Sequence, residues 1–113
     1  MLIYIALDGR KTMTLLDLLK LSEKERTHQF QKIDPYNAQS KALFQEIKLS
    51  FLSTYPKCAA LSDVSVGAGP GLGPINAICV RVPMGVKIRI PRKFLGLQVF
   101  RLDETQRGWK TRY

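Results

Sequence analysis

Apolar positions change their spacing partway along the chain. Up to about Tyr55, leucines and phenylalanines recur at three- and four-residue steps, the period of a helix. From Asn76 onward, branched apolar residues alternate with arginine and lysine, the period of a strand. Between the two lies Val64-Ser-Val-Gly-Ala-Gly-Pro-Gly-Leu-Gly-Pro74. Glycine costs about 1 kcal/mol and proline about 3 kcal/mol per helix position relative to alanine, and proline cannot donate to a sheet ladder. A glycine-rich loop is therefore expected over residues 64–74, dividing a helical half from a strand-rich half.

Within the first half, Leu2 to Ala6 reads as a short strand that turns back at Asp8-Gly9. Thr14-Leu-Leu-Asp17 has the form of a capped helix start, with Leu15, Leu18 and Leu19 as its apolar stripe. Ser22-Glu-Lys-Glu25 is a second capping box, so the helix either restarts there or continues with a polar stretch. Asp34-Pro35 marks a boundary, with Asp34 as the expected cap. After it Tyr36, Leu43, Phe44, Ile47, Phe51 and Tyr55 form the strongest helical stripe, ended by Tyr55-Pro56. Leu49 and Leu52 widen that apolar surface, which suits a central helix or an interface. The stretch from Cys58 reads as a turn, then a short strand at Leu61 to Val66.

In the second half, Ile78, Val80 and Val82 and then Val86, Ile88 and Ile90 flank Pro83-Met84-Gly85. This predicts a β-hairpin with a glycine bulge. Its register places Val82 opposite Val86, with all six branched residues toward the core. The outer face then sets Arg81 opposite Lys87 and Cys79 opposite Arg89. Like charges directly across a sheet are unfavourable, and an anion lying over them would remove the conflict. Leu97 to Leu102 predicts a further strand, with Leu97, Val99 and Arg101 on one face. Residues 104–113 read as a basic tail with two aromatics.

The elements predict one α+β domain over 1–113. Two or three helices, about 12–57, pack on a small antiparallel sheet, a meander over about 76–103. A chain of 113 residues is long enough for a real core without covalent staples. Two cysteines, Cys58 and Cys79, are too few for a disulfide scaffold, and whether they pair is left open. No signal peptide or run of 18 apolar residues is visible, so a reducing, intracellular and cytoplasmic setting is expected, without a membrane span.

Charge narrows the class of partner. Lys and Arg number 18 against nine Asp and Glu, a formal net charge of +9. The excess sits after Lys57, where nine basic residues meet three acidic ones. Such a balance favours a polyanion. Arg81, Lys87, Arg89, Arg92 and Lys93 fall within thirteen residues that hold no acid. They are the candidate phosphate contacts, with Trp109, Phe94 or Tyr113 as stacking groups.

Other chemistry is thinly supplied. The glycine loop lacks the Gly-Lys-Ser/Thr ending of a P-loop and the spacing of a dinucleotide fingerprint. His28 is the sole histidine and reads as an exposed helix residue. One histidine and two distant cysteines make no zinc site, and no nucleophile elbow is present. The expectation is a non-enzymatic binding protein without a cofactor, with nucleic acid as partner and RNA favoured, or a subunit of a ribonucleoprotein assembly. The alternatives are an interaction module for an acidic protein, including a homodimer or complex through Leu49 and Leu52, and a small toxin-like ribonuclease.

Overall fold

The computed structural model describes residues 13–69 and 75–112. The expected first strand at Leu2 to Ala6, the Pro70–Pro74 part of the glycine loop and Tyr113 lie outside the described residues. The architecture is α+β, with helices first and a five-stranded sheet built by the later half.

Both capping boxes form. Helix α1 (Leu15–Leu19) is capped by Thr14, whose hydroxyl accepts from the Asp17 N–H while Asp17 reaches back to the Thr14 N–H. Glu46 adds a carboxylate that accepts from the Leu15 N–H at 3.1 Å, an anion at the positive end of the helix. Helix α2 (Glu23–Gln31) restarts at Ser22 with Glu25 as the reciprocal partner. Helix α3 (Ala38–Thr54) begins later than expected. Asp34 closes a turn by accepting from the Tyr36 N–H, and Asn37 supplies the cap. Tyr36 therefore precedes the helix and is exposed, off the stripe assigned to it. Pro56 ends α3 but also starts α4 (Pro56–Leu61), a helix not anticipated from the sequence, because proline fits a first helical turn.

Strand β1 (Asp63–Ala68) takes over part of the expected loop, and the Gly69 N–H donates to the Ile75 carbonyl at the loop's base. Strands β2 (Asn76–Val82), β3 (Lys93–Phe94), β4 (Leu97–Thr105) and β5 (Gly108–Arg112) follow. The order is β1-β2-β4-β3, with β5 also paired to β4. The residues expected to trail as a basic tail are thus largely strand.

The sheet is mixed, not purely antiparallel. β2 runs antiparallel to β1 and parallel to β4, with Val80 beside Val64 on one side and Arg101 on the other. The expected hairpin of β2 with 86–90 does not form. Its turn does: the Val86 N–H donates to the Pro83 carbonyl, and Gly85 takes φ +86°. The second arm then leaves the ladder and lays Ile88, with Val86 and Ile90, on the core edge. The reason lies in the faces. β4 is apolar on both, as Val99 and Phe100 show, and suits a central position. Residues 86–90 carry cations on alternate positions and suit a margin.

The core lies between the helices and one sheet face. Leu18, Phe30, Leu43, Ile47 and Phe51 are fully or almost fully buried against Val64, Ile78, Val80, Val82 and Leu97. Each large side chain of this kind contributes about 1.5–3 kcal/mol by leaving water. Phe51 meets Phe94 edge-to-face with centroids 5.2 Å apart, and Phe30 meets Phe44 likewise at 5.7 Å. On the opposite sheet face Ala77, Cys79 and Phe100 make a smaller buried cluster. Cys58 belongs to the first cluster and Cys79 to the second, so the sheet separates them, and both are free thiols.

Two polar joints fix helices to sheet. Asn76 is completely buried and donates its amide to the Phe30 and Ile33 carbonyls at 2.8 and 2.7 Å. Gln31 pairs with the Asn76 backbone as a neighbouring strand would, accepting from its N–H and donating to its carbonyl. Arg26 spends its guanidinium on the Leu18, Leu21 and Leu95 carbonyls. Leu95 and Gly96 form the two-residue β3–β4 turn, both at positive φ. A side chain at Gly96 would strike Glu23, 2.5 Å from its Cγ, so glycine is required there.

Candidate nucleic-acid interface

The irregular segment after β2 is one wall of a broad groove. Its volume is about 1010 Å³. The other walls are the α3–α4 junction and the β4 end. Lys57, Lys87, Arg89 and Arg101 line it, against Asp103 and Glu104. Arg101 is already matched: its Nε lies 3.0 Å from Asp103 Oδ1, and its Nη1 donates to the Ile88 carbonyl at 2.9 Å. Glu104 accepts from the Met84 N–H and holds the turn against β4. Lys57, Lys87 and Arg89 are exposed and make no ion pair among the described residues. The groove thus carries surplus positive charge on a segment that a buried apolar edge and two side-chain hydrogen bonds hold in place.

Arg101 also lines a smaller cleft of about 290 Å³ with Arg92. The two depressions share this residue, so cations run from Lys57 past Lys87 and Arg89 to Arg92. Lys93, exposed beside Arg92, is registered with Gln98 on β4.

Of the residues proposed from sequence, Lys87 and Arg89 line the first depression and Arg92 the second, while Lys93 follows Arg92 and lines neither. Arg81 does not join them. With the hairpin absent, it stands opposite Asp63 on β1 and beside Leu102 on β4, on the sheet face away from the main core. Its neighbour across the ladder is an acid, not Lys87, so the charge conflict that called for an anion is gone. Trp109 is exposed on β5, registered with Glu104. Phe94 is buried against Phe51 and Tyr55 and cannot stack on a base. Tyr55, half-buried, is the aromatic in the groove wall.

Lys57 and Arg101 were missed as groove residues. Lys57 follows the proline that starts α4, and no local signal places it beside residues 30 positions on. Arg101 looked like one cation in a strand; its role depends on the parallel β2–β4 pairing. His28 is exposed on α2 and lines neither depression.

The thiols are muted. Burial pushes Cys58 above the ordinary cysteine value of 9.0, opposed by a hydrogen bond from Ser62 and the charge of Arg101. Burial raises Cys79 as well, opposed by Arg81. Neither is held as the thiolate that a nucleophile or metal ligand requires. Among the described residues no group of three or more His, Cys, Asp or Glu could hold a metal ion. No helix there is long and apolar enough to cross a membrane. Comparison with protein-family models, curated proteins and solved structures found no match.

Proposed function

We propose that the protein binds nucleic acid without catalysing a reaction, and that single-stranded RNA is its favoured ligand, alone or within a ribonucleoprotein assembly. One observation carries the reading: Lys87, Arg89 and Arg92, joined by Lys57, line two depressions that share Arg101, and Lys57, Lys87 and Arg89 make no ion pair among the described residues. Phosphates are their natural counter-ions, and release of condensed ions supplies the affinity. Apart from Lys57 on the short α4, these cations sit on irregular chain and not along one helix face. That suits a flexible single strand better than insertion into a duplex groove. Tyr55 and the more distant Trp109 are the available stacking surfaces.

Fluorescence anisotropy with labelled single- and double-stranded RNA and DNA across a salt series tests this. Affinity should fall log-linearly with salt, with a slope worth several phosphates, and single-stranded RNA should bind tightest. No binding at low salt would overturn the reading and favour an acidic protein partner.

A further inference from the structure

A separate basic groove shares no lining residue with the two depressions already described. It runs between β1 and α3 and has a volume of about 420 Å³. Among the described residues β1 pairs on one side only, with β2. Along an outer strand, alternate N–H and C=O groups point away from the sheet and are free to pair with another chain. Native sheets often guard such an edge with charge or proline on the strand itself. Here β1 reads Asp-Val-Ser-Val-Gly-Ala, with a single charge at its start. Phe44 forms the groove's apolar floor beside Gly67, which takes φ +153°. Lys41 and Lys48 stand on the α3 wall, and Tyr36, 82% exposed, lies at the mouth. Among the described residues no acid lines the groove.

We propose that β1 receives an extended, acidic segment of a partner protein as an added strand. The backbone edge provides the pairing, Phe44 and Tyr36 the apolar contacts, and the two lysines the selection for charge. Lys41 and Lys48 are seven residues apart, so about 10 Å along the helix. Carboxylates two to four residues apart on a strand span roughly 7–13 Å and can meet both. A second copy of this chain is the poorer occupant. Pairing β1 with its own kind would bring two sets of these lysines together on a chain of net charge +9. This site does not depend on the groove around Lys87 and Arg89.

The probe is an acetylated, amidated hexapeptide alternating glutamate with valine, titrated into 15N-labelled protein. Amide resonances of Ser65 to Ala68 should shift, and their hydrogen exchange should slow. Lys41→Glu with Lys48→Glu, both on the helix surface, should weaken binding about tenfold. Methylating alternate peptide amides should weaken it by about the same factor. Lys87→Glu with Arg89→Glu should leave it unchanged. Three results would overturn the proposal: no response at 65–68, equal binding of the methylated peptide, or displacement of the peptide by oligouridylate, which would give the groove to nucleic acid.

Discussion

Arg101 reaches across the sheet margin to the carbonyl of Ile88, 2.9 Å away, and thereby fastens a segment that no strand pairs. The same guanidinium holds Asp103 at 3.0 Å. Arg101→Ala removes both and leaves the Ile88 carbonyl without this donor. The loss should be about 1.5–3 kcal/mol, the range for hydrogen bonds to charged groups. Amide exchange of residues 86–90 should rise more than that of α3. Equal change in both would mean that Arg101 supports the whole fold and not this wall.

Charge reversal at the groove separates binding from folding. Lys87→Glu with Arg89→Glu should leave the thermal midpoint almost unchanged, because both side chains are exposed and make no ion pair among the described residues. RNA affinity should fall and the log–log salt slope should shrink by about 1.4, or 0.7 per lost contact on a single strand. Arg81→Glu should do less, since Arg81 lies on another face beside Asp63.

Two glycines with positive φ give a matched test of crowding. Gly85, at φ +86°, has open space where a side chain would go, so Gly85→Ala should destabilise by about 1–2 kcal/mol through backbone strain alone. Gly96→Ala adds a clash with Glu23 and should exceed it by about 1 kcal/mol or more. Chemical denaturation of both variants measures the difference.

Asn76→Ala should cost about 1–3 kcal/mol, because it takes the side-chain donor from the buried Ile33 carbonyl and leaves the Phe30 carbonyl with the Ile33 N–H alone. The damage should centre on the end of α2. Uniform loosening by amide exchange would show that this joint is not local.

The thiols predict a stability loss in base. Unfolded cysteines ionise near the ordinary value of 9.0, whereas burial raises the folded pKa of Cys58 and Cys79. Their stabilisation is fully present below that value. It falls as pH rises from 9.0 through the folded values, because the unfolded chain gives up protons first. Urea melts at pH 8 and about pH 10 should therefore differ less for Cys58→Ala with Cys79→Ala than for the parent, by the linkage argument.

Helices were easier to read from the sequence than strand partners. Thr14, Ser22 and the Leu43–Phe51 stripe act within a few residues, and the structure repeats them. The Ile78–Val82 alternation correctly gave a strand and a face. It could not give a partner, because a period of two is satisfied by any neighbour of matching pleat. The nearest run in sequence, residues 86–90, is the local candidate, but β4 takes the place with apolar residues on both faces. Arg81 therefore faces Asp63 and not Lys87, and Phe94, a stacking candidate by sequence, packs on Phe51. Asn76 and Gln31, which join helix to sheet across more than forty residues, carry no local signal.

The parallel pairing of β2 with β4 also bears on how the chain assembles. β1 and β2 can meet early, being joined by a short loop. Ile78 to Val82 then present an open edge until Val99 to Asp103 arrive on the other side of an intervening stretch of irregular chain. Contacts of that range are slow to close, and an apolar strand edge left waiting invites pairing with other molecules. On the ribosome the sheet's centre cannot be sealed until β4 has emerged, so the interval between those two strands is when the protein is most exposed to misassembly.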